Sequence, residues 1–98
     1  KQNTFKGVME MRYYKIYAWT DCPFCENAKE LLIEKGEQFM FCCLDQSDAL
    51  LSFLKSKYDW ETVPMIVEKL TESNTEKLIG GYTDLVQYFN EEEKQSPD

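Results

Sequence analysis

Apolar positions fall into short clusters separated by polar or glycine-containing breaks, and each cluster predicts one element. Residues 12–18, rich in Tyr and Ile, read as a strand. Trp19, Thr20 and Asp21 form a short loop, and Pro23 follows where a first-turn proline is welcome in a helix. From there Cys25, Ala28, Leu31 and Leu32 recur at helical spacing, with Glu26, Lys29, Glu30 and Glu34 on the outside, until Gly36 ends the run. Residues 38–44 are apolar on both alternating faces, the pattern of a strand in a sheet covered on both sides. After a turn at 45–48, Leu50, Leu51, Leu54 and Tyr58 predict a second amphipathic helix. A third strand is read over 62–67, broken by Pro64, then a polar turn over 71–75 and a short strand over 77–79 that stops at Gly80-Gly81. A last helix starts near Thr83 or Asp84, with Leu85, Val86 and Phe89 inward. Residues 91–98 read as a charged, frayed tail.

The resulting order is β-α-β-α-β-β-α, an α/β domain with a four-stranded mixed sheet flanked by three helices. Strands one and two, joined through a helix, should run parallel with a right-handed crossover. Strands three and four should form a hairpin. Residues 1–11 are polar and mixed and are read as an extension, residues 12–93 as the domain and 94–98 as the tail.

Composition narrows the function. The 98 residues suffice for one domain. No apolar run approaches the roughly 18 residues of a membrane helix, so no membrane association is expected. The net charge of −7 argues against nucleic acid as a partner, because phosphate contacts need clustered Lys and Arg. The chain has no histidine, which removes imidazole bases and His-ligated zinc. Residues 1–12 lack the apolar core of a signal peptide, and the four cysteines are not spaced like a secreted disulfide framework. The reading is a reducing, cytoplasmic compartment.

Chemistry concentrates in Cys22-Pro23-Phe24-Cys25, at a strand-to-helix junction. A thiol acts as a nucleophile only as the thiolate. Unpaired N–H groups and the helix dipole at a helix N-terminus stabilise that anion. Cys22 lies at this end as the candidate nucleophile. Cys25, one turn further in, can close a small disulfide with it and is the candidate resolving thiol. A C-x-x-C can equally be half a zinc site, which here would need two more thiolates. Cys42 and Cys43 are adjacent on a strand and point to opposite faces, so they suit one metal poorly and read as small core residues. No metal is expected.

Three separated motifs then resemble one family. Residues 17–25, Y-A-W-T-D-C-P-F-C, are similar to the dithiol C-P-Y-C site of glutaredoxins, with Phe24 in place of Tyr. Thr62-Val63-Pro64 resembles that family's T-V-P, and residues 80–85, G-G-Y-T-D-L, its G-G-x-x-D-L. The resemblance covers about residues 13–90. It implies the thioredoxin-like fold and a glutathione-dependent thiol–disulfide oxidoreductase acting on protein disulfides and glutathione mixed disulfides. Ribonucleotide reductase is then a plausible class of protein substrate, and a monomer is the family default.

By its residues alone, Pro64 reads as an edge-strand proline; the resemblance makes it a cis proline that brings Val63 beside Cys22. There the Val63 backbone would pair with glutathione like an added strand. By the same resemblance Gly81, Tyr82 and Thr83 would meet the glutamyl carboxylate, Asp84 the glutamyl ammonium, and Phe24 would form an apolar lip. Thr83 also reads as a helix N-cap. One departure stands out: many family members carry Lys where this chain has Trp19. Lys55 and Lys57 are weak substitutes and read more simply as a solvated helix face. Two alternatives stay open. A glutathione-ligated [2Fe–2S] carrier commonly reads C-G-F-S, unlike this motif. A disulfide reductase served by thioredoxin reductase commonly carries W-C-G-P-C, or W-S-G-F where this chain has Gly80-Gly81-Tyr82-Thr83.

Overall fold

The computed structural model describes residues 11–95. The readings made for residues 1–10 and 96–98 lie outside them. The elements run β1 (Arg12–Ala18), α1 (Pro23–Glu34), β2 (Gln38–Cys43), α2 (Asp48–Tyr58), β3 (Met65–Leu70), β4 (Thr75–Gly80) and α3 (Tyr82–Gln95). This is the expected β-α-β-α-β-β-α order. The sheet order is β2-β1-β3-β4. β1 pairs parallel with β2, aligning Ala18 with Cys43, and antiparallel with β3, which pairs antiparallel with β4.

Strand alternation divides the side chains between two cores. Tyr14, Ile16 and Ala18 of β1 and Ile66 of β3 face Cys25, Ala28 and Leu32 of α1 and Leu85 and Phe89 of α3. Met65, one residue before Ile66, faces the opposite way, towards Leu44 and towards Leu51 and Leu54 of α2. Two helices therefore cover one face and a single helix the other. A carboxylate lies within the first face. Glu68 is buried, and accepts hydrogen bonds from the hydroxyls of Tyr14 at 3.2 Å and Tyr88 at 2.7 Å. Arg12 approaches the same oxygen at 3.4 Å, so the charge is both paired and hydrogen-bonded.

Four sequence expectations change. β2 is an edge strand: exposed Met40 and half-buried Cys42 lie on the face that has a single helix, and Cys43, aligned with Ala18 on the other face, is exposed at the strand's end. Cys43 is therefore not a core residue. β3 begins only after Pro64, because residues 62–64 turn into the strand rather than belonging to it. The helix expected near Thr83 or Asp84 starts at Tyr82. Residues 91–95 continue α3 instead of fraying, held by Glu92 on Arg12 at 2.6 Å and Glu93 on Lys35 at 2.7 Å. At the other end, the Thr71 N–H donates to the Met11 carbonyl at 3.0 Å and the Met11 N–H donates to Thr71 Oγ1 at 3.1 Å, holding the residue before β1 against the end of β3. Among the described residues no helix is long and apolar enough to cross a membrane.

Candidate active site

The parallel strands β1 and β2 end side by side, and the chain leaving β1 turns directly into α1. Cys22 is the N-cap of α1, in extended conformation with φ −114° and ψ 101°. Pro23 takes the first helical position, where its missing N–H costs no hydrogen bond. The Cys25 N–H donates to Cys22 Sγ at 3.2 Å, and the Glu26 N–H donates to the Cys22 carbonyl at 3.0 Å. Ordinarily a Ser, Thr or Asp oxygen receives that capping bond; here sulfur does. Cys22 and Cys25 are joined as a disulfide, with their Cα atoms 5.2 Å apart. Cys22 is partly exposed, whereas Cys25 is fully buried in the core under α1. The two sulfurs thus differ in access although they are bonded to each other.

The loop before Cys22 is tied down from outside its own segment. Thr20 donates its backbone N–H to both carboxylate oxygens of Asp45, at 2.8 and 3.0 Å. Bonds from the Thr20 hydroxyl and amide hold the Asp45 carboxyl below its usual range. Leu44 N–H donates to the Ala18 carbonyl at 2.8 Å, continuing the β1–β2 pairing to the loop. Asp21, next to Cys22, has φ +56°, a left-handed conformation in which Asp is among the better tolerated residues.

Opposite lies the Val63–Pro64 peptide, which is cis. Val63 packs against both hydrophobic cores, and Cys22 and Tyr82 pack against the first. The third wall is the start of α3. Gly80 has φ +125°, and a register shift in the β3–β4 pairing occurs beside it. A bulge of this kind re-aims the chain, here from the sheet into the helix. A side chain at Gly80 would place its Cβ 2.5 Å from Asp84 Oδ2, so this position excludes anything larger than hydrogen. The Asp84 carboxylate accepts the Gly81 N–H at 2.9 Å, and the Leu85 N–H donates to the Gly81 carbonyl. Asp84 therefore caps α3 from within its first turn, and the expected capping by Thr83 does not occur; Thr83 is exposed in that turn. Helix geometry leaves the N–H groups of Tyr82 and Thr83 without intrahelical acceptors.

Phe24, Val63, Pro64, Gly81, Tyr82, Thr83 and Asp84 line one groove of about 360 Å³. The sequence motifs that supplied them are separated by as much as 60 residues, and the fold brings them together. Trp60 and Thr62 complete the lining. Trp60 escaped the sequence reading; its only signal was an indole at a helix–strand junction. The Asp45–Thr20 link left no local trace, because its partners are 25 positions apart. Neither Lys55 nor Lys57 lines the groove, and Lys57 is engaged with Glu76 at 3.3 Å. Trp19 is 42% exposed. Among the described residues no three Cys, Asp or Glu side chains converge as a metal-ligand set, so Cys42 and Cys43 do not join Cys22 and Cys25 around one ion.

Comparison with known proteins supports the fold and the family. The chain matches a probable glutaredoxin of Synechocystis with 48% identity over 31 residues, 32% of this chain, and covers only 35% of that relative's length. The crystal structure of a buckwheat glutaredoxin–glutathione complex superimposes with a TM-score of 0.67 at 23% identity, covering 82% of this chain and 70% of the other. The solution structure of a dithiolic glutaredoxin from Trypanosoma brucei brucei gives 0.63 at 25% identity, covering 82% and 79%. The sequence profile of the glutaredoxin family matches residues 14–69. Since that stretch is more than half of the chain and contains both cysteines of the motif, the chain belongs to the glutaredoxin family, with the thioredoxin-like fold and a dithiol motif.

Proposed function

We propose that this protein is a glutathione-dependent thiol–disulfide oxidoreductase that reduces protein disulfides and glutathione mixed disulfides. The observation that carries the reading is the unequal setting of one cysteine pair. Cys22 caps a helix, accepts an N–H and is reachable from solvent, while Cys25 is buried behind it. In the reduced protein the same N–H and helix terminus favour the Cys22 thiolate.

Cys22 thiolate attacks a sulfur of the substrate disulfide. A Cys22–substrate disulfide forms, the substrate bond breaks, and the departing thiolate takes a proton. Cys25, as thiolate, then attacks Cys22 Sγ, expels the second substrate thiol and closes Cys22–Cys25. One glutathione opens that bond by forming a mixed disulfide on Cys22. A second attacks the glutathione sulfur, releasing glutathione disulfide and restoring the dithiol. Two electrons pass from two glutathiones to one disulfide. With a glutathione mixed disulfide as substrate, Cys22 takes up the glutathionyl group directly and Cys25 is not required.

Glutathione has an extended backbone that the Val63 segment can pair with, and a glutamyl carboxylate suited to the N–H groups of Tyr82 and Thr83. Asp84 can add a bond to the glutamyl ammonium. The glutathione-bound state of the buckwheat relative supports this assignment. Protein substrates with cycling disulfides, ribonucleotide reductase among them, and a cytoplasmic setting fit the reading.

The test is turnover of a small glutathione mixed disulfide with glutathione, glutathione reductase and NADPH. Cys22→Ser should abolish it and Cys25→Ser should largely retain it, while Cys25→Ser loses reduction of protein disulfides. A folded wild type with a reducible Cys22–Cys25 pair and no turnover would overturn glutathione as reductant, and thioredoxin reductase would then be tried as the donor.

A further inference from the structure

The groove assigned above to glutathione also has aromatic walls that the proposed redox cycle does not use. Three of its walls are aromatic: Phe24, Trp60 and Tyr82. Phe24 is 58% exposed, and its ring stands 6.4 Å from that of Tyr82 at 32°. Across the groove, Trp60 leans from the second hydrophobic core towards Gly81, where an added Cβ would lie 3.9 Å from Trp60 Cζ2. Its indole N–H is buried with no acceptor among the described residues. Among the described residues no cationic side chain lines the groove, and Asp84 is its single charged side chain. The whole chain carries −7.

A space of about 360 Å³ is within the range of small ligand sites, and large enough for an aromatic side chain and its neighbours. Water in contact with three ring faces is displaced favourably by another apolar surface. An acidic side chain placed against these rings, rather than at the Tyr82 and Thr83 N–H groups that glutathione's carboxylate would take, would lose hydration and find no cation among the described residues. We infer that the groove selects protein substrates whose reactive cysteine is flanked by an aromatic residue and not by an acidic one, with Trp60 as the specificity-determining residue. The inference rests on the disulfide-reductase reading above and assigns its class of protein substrate.

The test compares symmetric disulfides of otherwise identical short peptides, with Phe, Ala or Glu next to the cysteine. The pre-reduced protein is mixed with each in the absence of glutathione, and released peptide thiol is trapped by alkylation and quantified. Burying one apolar group in a pocket discriminates by roughly 10–200-fold, so Phe should exceed Ala by about tenfold or more, with Glu below Ala. Trp60→Ala should shrink the Phe-to-Ala ratio to about twofold or less, and Trp60→Phe should keep most of it. Brisk reduction of all three peptides at equal rates by the wild type would overturn the inference and leave the reductase reading intact. An undiminished ratio in folded Trp60→Ala would remove Trp60 from the role. No reduction of any peptide by the folded, reduced protein would sink both readings. The wild-type series decides the substrate preference even where a Trp60 variant fails to fold.

Discussion

Gly80→Ala joins a backbone feature to the proposed glutathione contacts, and its effect can be worked out from the geometry. The backbone at Gly80, φ +125°, is one that L residues rarely adopt, and an added Cβ would sit 2.5, 2.8 and 2.9 Å from Asp84 Oδ2, Cγ and Cβ. Backbone strain at such a position costs about 1–3 kcal/mol. Displacing Asp84 from the Gly81 N–H forfeits an N-terminal cap worth about 0.5–2 kcal/mol. The alanine also restricts the unfolded chain, which offsets about 0.4–1 kcal/mol. The expected net loss is about 2–3 kcal/mol, or roughly 10–20 °C in Tm for a domain of this size. Gly36 is the internal control. It also has positive φ, +72°, but nothing lies within 4 Å of its added Cβ, so Gly36→Ala reads the conformational part alone, about 1–2 kcal/mol. Urea unfolding of both variants measures the difference. Gly80→Ala should also raise KM for a glutathione mixed disulfide, about fivefold for each 1 kcal/mol lost at the α3 terminus. The reasoning is refuted if Gly80→Ala unfolds within about 0.5 kcal/mol of wild type with KM unchanged, because surface changes of no consequence fall in that range.

Other expectations are more local. The Asp45 carboxyl is held below its usual range, so the bond to Thr20 contributes stability above the ordinary carboxylate pKa of about 3.9 and loses it as pH falls through the lower folded value. The urea midpoint of wild type should exceed that of Asp45→Asn at neutral pH, and the gap should close in strong acid; a pH-independent gap would contradict the assignment. Leu85 is fully buried against α1 and β1, and Leu85→Ala should cost about 2–5 kcal/mol by denaturation. In the oxidised protein, exposed Cys43 should react with a thiol reagent before half-buried Cys42, and Cys22 and Cys25 only after reduction; mass mapping of a timed alkylation checks the order. Burial, reinforced by the bond to Glu76, pushes the Tyr58 hydroxyl up to about 12, so Glu76→Gln should move its ionisation to lower pH in a spectroscopic titration.

Local order was legible in the amino-acid sequence because each cue lies within one element. β1 matches the expected residues 12–18, α1 starts at Pro23, and the cysteine motif falls at the helix terminus. These follow from side-chain periodicity, a proline that can only begin a helix, and a glycine that can end one. The recognisable site motifs were legible too, although not the surface they jointly form. The sheet order was not, because no local pattern reports which strand ends at an edge. β2 reads as apolar on both sides, yet it lies at a sheet edge, and Cys43 at its end, aligned with Ala18, lies open. Trp60 became a groove wall only when the turn at residues 60–64 met the start of α3. Asp45 became an anchor for the active-site loop only when the ends of β1 and β2 were paired. Glu68 appears in the sequence as one more acid, and tertiary packing surrounded it with Tyr14, Tyr88 and Arg12. Sequence determines the conformation of a segment through interactions a few residues long. Which side chains share a cavity, a charge or an exposed edge depends on partners dozens of residues away, which only the packed fold brings within bonding distance.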